Sequence, residues 1–254
     1  MIVVGITGGI GHGKTTFADY LAGNARKAEH LESSDVILEV ANALRHESPV
    51  HPKPDNLAAI NRWLMPLMNI IPACVHCASQ NFVLPITPAM VADEPLNYTK
   101  LFEYLKQMAA EPTLQTVEIT KQNRQQFRSL LQWLGGYLVK KVDEGIWYDE
   151  IVRRIRNLSQ NGTEIVIVGG VRFPGDAERL RNAGGAIVEI RRPSVAEVDV
   201  KDLTERERNL IVPDTVVVND GSLADLAQCA PRVYRGLQLR ELEPTYYASQ
   251  TSLL

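Results

Sequence analysis

The sequence is short of cysteine, of net charge and of long apolar runs, and each shortage excludes something. Three cysteines in 254 residues, Cys74, Cys77 and Cys229, are too few and too irregularly spaced for a disulfide framework. That usage suits a reducing cytoplasm. No stretch of about 20 apolar residues occurs, so no membrane span is expected. The apolar run at residues 2–6 has no basic segment before it and breaks at Gly8, unlike a signal peptide. Lys and Arg number 27 against 30 Asp and Glu, leaving a net charge of -3. No global basic field therefore attracts nucleic acid or anionic lipid. A phosphate-rich ligand would have to be met by a local cationic pocket.

What is present is the composition of a soluble globular protein, 45% apolar and 22% charged. The length suits one large α/β domain, residues 1–254, or such a core carrying an insertion. It can bury a large core without staples. Residues 2–6 read as a strand buried on both faces, residues 8–13 as a glycine-rich turn, and residues 15–23 as a helix with Phe17, Ala18 and Leu21 on one side. Ser34 and Asp35 look like the N-cap of a helix that follows the second strand. From residue 46 to about 120 prolines recur and only short helical patterns survive, notably at 97–108. This stretch reads as a mostly helical, substrate-side insertion. A helical period returns at 121–142, followed by a helix through Trp147, Ile151 and Ile155. Strands are expected at 164–168, 186–190 and 215–218, with helices starting at Pro174 and at the capping-box-like Ser222-Leu223-Ala224-Asp225. The tail after Gly236 carries no readable pattern. Strands alternating with helices predict a three-layer α/β fold, a parallel sheet flanked by helices.

Gly8-Gly9-Ile10-Gly11-His12-Gly13-Lys14-Thr15 matches G-x-x-x-x-G-K-[ST], between an expected strand and an expected helix. A nucleoside triphosphate is highly anionic, so such a loop aims backbone N–H groups at its oxygens, and glycines let the backbone approach. The following helix adds the positive end of its dipole. On this reading residues 8–16, through Thr16, contact ATP, Lys14 reaches the β- and γ-phosphates, and the Thr15 hydroxyl ligates Mg²⁺. His12 occupies an unconstrained position, and its plainer reading is a side chain on the loop surface.

The stretch Ile6-Thr7-Gly8-Gly9-Ile10-Gly11-His12-Gly13-Lys14 resembles the start of dephospho-coenzyme A kinases. A longer series of landmarks resembles the phage-type deoxynucleoside monophosphate kinases. They are Arg128-Ser129-Leu130-Leu131-Gln132-Trp133-Leu134-Gly135, similar to that family's R-x-L-x-Q-x-L-G helix, then Trp147 at a matching distance, and Val171-Arg172-Phe173-Pro174 with Ala177-Glu178. Arg192-Pro193, Thr204-Glu205, Asp214 and Asn219-Asp220-Gly221-Ser222 follow in the family's order. The resemblance spans residues 1–45 and 120–230 and implies a P-loop kinase fold that uses ATP and Mg²⁺ to phosphorylate a small nucleotide acceptor. Two positions depart from it. Gly170 stands where the family usually has an acid before V-R-F-P, and Asp202 where it tends to have His.

The resemblance makes Arg128 and Arg172 candidates for the acceptor phosphate and Arg192 for the donor phosphates; arginine forks match phosphate oxygens. The alternative for each is a surface ion pair. Gln132 could read a base edge with its carboxamide. Trp147 could stack on a base or belong to the core. Asp35 could order the acceptor or a metal-bound water. Residues 194–213, rich in charge of both signs, resemble a lid. Cys74-Val75-His76-Cys77 lacks the second ligand pair a zinc site needs. The expected partner is a small-molecule nucleotide, with neither nucleic acid nor membrane. A homodimer is one arrangement left open. Dephospho-coenzyme A as the acceptor, or a nucleotide-binding module that has lost catalysis, are the competing readings.

Overall fold

The β-branched run at the N-terminus does become a strand, and the rest of the sheet assembles around it. The computed structural model describes residues 1–71, 84–141, 143–195 and 207–248. In chain order the elements are β1 (Ile2–Thr7), α1 (Lys14–Ala22), β2 (Ala28–Glu32), α2 (Ser33–Glu47), α3 (Leu57–Leu64), α4 (Leu67–Ile70), α5 (Pro88–Asp93), α6 (Pro95–Ala110), α7 (Arg128–Lys141), α8 (Ile146–Ser159), β3 (Ile165–Gly169), α9 (Pro174–Asn182), β4 (Ala186–Arg191), β5 (Thr215–Val218), α10 (Leu223–Leu239) and β6 (Thr245–Tyr247). The chain divides into two compact units, Met1–Ser33 with Ile151–Leu254, and Ser34–Glu150. Among the described residues no helix is long and apolar enough to cross a membrane.

The first unit is a six-stranded sheet in the order β2-β3-β1-β4-β5-β6, every pairing parallel. Parallel strands bury both faces, and β1 shows it: only Ile2 is not fully buried. Val4 and Ile6 of β1, Ile165 and Ile167 of β3, and Val188 and Ile190 of β4 share one core with Phe17, Ala18 and Leu21 of α1 and with Leu226, Ala230 and Val233 of α10. On the opposite face Leu180 of α9 lies so close to Gly5 that a methyl there would meet it at 2.7 Å. Helices on both faces of a parallel sheet are the α/β architecture the sequence pattern implies.

The second unit is helical. Tyr98, Tyr104 and Leu105 of α6 and Leu130, Leu134 and Leu138 of α7 are fully buried. Trp133 stacks on Tyr137 at 4.9 Å between ring centroids. Arg45 of α2 is buried among them. It donates to the carbonyls of Val117, Leu114 and Gln115 at 2.6, 2.5 and 3.1 Å and lies 4.6 Å over the Phe127 ring. These three carbonyl bonds and one ring contact tie the segment after α6 to α2.

Several expectations shift. β2 leads straight into α2, so Ser34 and Asp35 lie inside the first turn rather than capping it. The helix expected from residue 121 begins at Arg128. Ahead of it Thr120 and Asn123 hold a reciprocal turn, with Thr120 N–H donating to Asn123 Oδ1 at 2.7 Å and Asn123 N–H to Thr120 Oγ1 at 3.3 Å. Such side chain–backbone bonds compete with a helix. The unreadable tail continues α10 to Leu239 and then adds β6 beside β5. Most of the expected lid, residues 196–206, lies outside the described residues, as do Thr204, Glu205, Asp202, Cys74, His76 and Cys77.

Candidate active site

The chain leaves β1 at Thr7 and turns through residues 8–13 into α1, whose N-terminus has no side-chain cap. The turn is closed underneath by the end of β4. A methyl on Gly8, where φ is +136°, would sit 2.2 Å from the Ile190 carbonyl oxygen. Gly13, at φ +95°, would meet Asn219 Nδ2 at 2.7 Å. Only glycine fits these two positions, so the loop's amides stay on the open side.

His12 corrects the expected surface side chain. It is 7% exposed, and its ring lies under Gly9, with Nδ1 3.2 Å from Gly9 N and 3.1 Å from Ile190 O. Nδ1 accepts from Gly9 in one tautomer and donates to Ile190 in the other. Asn219 Nδ2 donates to the His12 carbonyl at 2.9 Å, and Asn219 N–H to the Arg191 carbonyl at 2.7 Å. The loop is thus pinned by the ends of β4 and β5. Asn219 was a landmark in the sequence; that it holds the loop was not legible, because its partner lies 207 residues away.

Lys14 Nζ donates to the Gly8 and Gly9 carbonyls, both at 2.7 Å, which holds the ammonium over the turn. Thr15 is exposed and Thr16 half-buried at the start of α1, while Ile10 is 63% exposed. Arg192 follows β4 directly and is half-buried; its Nε is buried with no hydrogen-bond partner among the described residues. Three residues on, Val195 comes to 4.0 Å from the place of a Gly11 methyl. Arg172 is exposed on the connection after β3. That connection is tied to β1, with Val171 N–H donating to Ile6 O at 3.2 Å and Thr7 Oγ1 donating to Val171 O at 2.8 Å. Gly170 within it has φ +69° and no atom within 4 Å of a would-be methyl.

The other candidates belong to the helical unit. Arg128 and Gln132, one turn apart on α7, are exposed and line a groove of about 340 Å³ with Lys100, Gln107, Gln125 and Gln126. Asp35 accepts a salt bridge from Lys121 at 2.9 Å. Trp147 is 5% exposed, and its indole N–H donates to the Gly135 carbonyl at 3.4 Å, so the structure gives it a core position. A larger hollow, about 1320 Å³, opens among Met1, Arg26, Gly185 and Asp214, at the amino ends of the strands. Open α/β sheets bind ligands at the carboxyl ends, so it is not the site of the chemistry. Among the described residues no group of three or more His, Cys, Asp or Glu could hold a metal. A cation shared with substrate phosphates needs no such cage.

A family model described as deoxynucleotide monophosphate kinase matches residues 64–229, well over half of the chain. The chain belongs to the deoxynucleotide monophosphate kinase family. No curated protein matches it. The kinase's function is accordingly ATP-dependent phosphorylation of deoxynucleoside monophosphates. The match runs through the proline-rich middle, where the landmark resemblance was silent, and no observation favours dephospho-coenzyme A as the acceptor or a loss of catalysis. The loop at residues 8–15 precedes the matched residues and is no part of that match.

Proposed function

We propose that residues 8–16 of this kinase hold the ATP phosphates, that Lys14 and Arg192 carry the charge of the transferring group, and that Arg172, Arg128 and Gln132 bind the deoxynucleoside monophosphate. The observation that carries the donor half is the pinned glycine turn, with the Lys14 ammonium across it and an uncapped helix behind it. Such a cradle suits an anion that approaches the backbone closely. The buried Nε of Arg192, which has no hydrogen-bond partner among the described residues, supports its role toward phosphate. For the acceptor half, Arg128 and the carboxamides of the α7 groove, where Lys100 is already paired with Glu103 at 2.8 Å, suit a phosphate beside a base edge. Asp35 would order the acceptor through its pairing with Lys121, and Trp147 would fix α8 rather than stack on a base.

The acceptor's phosphate oxygen is already anionic, so no strong base is required. That oxygen attacks the γ-phosphorus as the bond to the β–γ bridging oxygen breaks, giving the deoxynucleoside diphosphate and ADP. The residues' task is to align the two anions and cancel their repulsion. The Thr15 hydroxyl, exposed at the head of α1, fits a Mg²⁺ ligand, and an ion held there would supply positive charge against the phosphates. Lys14→Ala tests the donor half. Binding of ATP measured by calorimetry should weaken, and kcat/KM with a deoxynucleoside monophosphate should fall by about 100-fold or more. ATP held as tightly as by the parent would refute the cradle. Purified protein supplied with ATP, Mg²⁺ and each deoxynucleoside monophosphate in turn identifies the base.

A further inference from the structure

Magnesium shared with a nucleotide is usually bound by one or two carboxylates as well as by phosphate oxygens. The strand beside β1 offers none, because β3 ends at Gly169 and Gly170 follows it. The first acid beyond them, Asp176, is 6% exposed and accepts the Phe173 amide at the head of α9. Glu189, beside Thr7 on β4, lies in phase with Ile187 on the opposite face from α1 and is paired with Arg191 at 2.7 Å.

Glu32, however, is the last residue of β2 and stands in register with Gly169. A methyl on Gly169 would meet Glu32 Oε1 at 2.8 Å, Cγ at 3.1 Å and Cδ at 3.3 Å. The carboxylate therefore fills the volume that a side chain on residue 169 would occupy. Alternation along β3 puts Gly169 in phase with Ile165 and Ile167, which pack against Phe17, Ala18 and Leu21 of α1. Ala28, in phase with Glu32 on β2, packs against the same core. The Glu32 carboxylate is thus at the carboxyl edge of the sheet, on the face where α1 begins with Lys14 and Thr15. A glycine at 169 and a glutamate at 32 are complementary: a side chain on residue 169 would collide with the Glu32 carboxylate.

We propose that Glu32 is the acidic residue of the magnesium site, reaching across Gly169 from the neighbouring strand to supply the carboxylate that β3 lacks. This rests on the reading of residues 8–16 as the ATP loop. The test uses the full-length protein with ADP, and Mn²⁺ as a paramagnetic substitute for Mg²⁺. In Glu32→Gln, Mn²⁺ affinity of the ADP complex, read by electron paramagnetic resonance, should fall about tenfold or more, while ADP affinity in EDTA is unchanged. Mn²⁺ affinity within about twofold of the parent would overturn the proposal. If Glu32→Gln fails to fold, Glu32→Ala decides: Mn²⁺ affinity lower by about tenfold or more supports the proposal, and affinity within about twofold of the parent overturns it. A Lys14→Ala variant run alongside separates the two claims. Loss of ADP there with Mn²⁺ binding intact in Glu32→Gln sinks only the carboxylate, whereas ADP retained by Lys14→Ala sinks the loop beneath it.

Discussion

His51 lies between Trp63 and Tyr104, with ring centroids 5.2 and 5.5 Å away and Nε2 2.7 Å from the Tyr104 hydroxyl. Burial, and then the Arg45 guanidinium, hold its pKa down from 6.5 to about 4. The sign follows from proton uptake. Unfolded, the imidazole protonates as pH falls through about 6.5; folded, it resists until about 4. This contribution to stability is complete above pH 6.5, is lost progressively towards pH 4 and falls no further below that. Melting temperatures of the parent and His51→Phe across this range check it. The variant should lack that part of the acid sensitivity, and equal slopes would contradict it. Two glycines give a second residue-scale expectation. Gly8→Ala forces a methyl to 2.2 Å from a carbonyl oxygen, whereas Gly170→Asp meets open space and bears only a left-handed backbone. Gly170→Asp should cost about 1–2 kcal/mol. Gly8→Ala should cost more in denaturant unfolding and should lose ATP as well. The glycine pattern of the loop was legible because it is a fixed spacing of residue types over eight consecutive positions. The burial of His12 was not, because the Ile190 carbonyl that fixes it comes from a strand 178 residues away.

At the scale of elements, α10 begins with a reciprocal cap, Ser222 Oγ accepting from Asp225 N–H at 3.2 Å and Asp225 Oδ2 accepting from Ser222 N–H at 2.8 Å. Three residues upstream, Asn219 secures the loop. The two neighbours separate stability from function. Ser222→Ala should cost about 1 kcal/mol with little change in the KM for ATP. Asn219→Ala leaves a buried carbonyl unpaired, should cost about 1–3 kcal/mol, and should raise that KM. Equal KM values in the two variants would mean that Asn219 does not hold the loop. The elements that sequence patterning delimited least well were β2 and β6, the two edges of the sheet. Edge strands need neither two buried faces nor two partners; β2 reads Ala-Glu-His-Leu-Glu, with no fully buried residue. The interior strands β1, β3 and β4 announce themselves as apolar runs for the opposite reason.

Across the whole molecule, the donor candidates and the groove on α7 belong to different compact units. Amide hydrogen exchange can therefore assign the two substrates separately. ADP should slow exchange at residues 8–16 and 190–195, and a deoxynucleoside monophosphate should slow it at residues 125–132. Protection by the monophosphate confined to the sheet unit would remove Arg128 and Gln132 from the acceptor site. By itself the sequence determined the glycine-rich loop between β1 and α1, the alternation of interior strands with helices, and the order of kinase landmarks. These depend on residue type and spacing over a few positions. Only the tertiary structure decided that His12 and Asn219 pin the loop, that Glu32 fills the place of a missing side chain on β3, and that a proline-rich middle packs around Arg45. Each of those pairings joins residues far apart in the chain; parallel strand order, set by packing of the whole sheet, brings together those of the first unit, and helix packing brings Arg45 to its carbonyls.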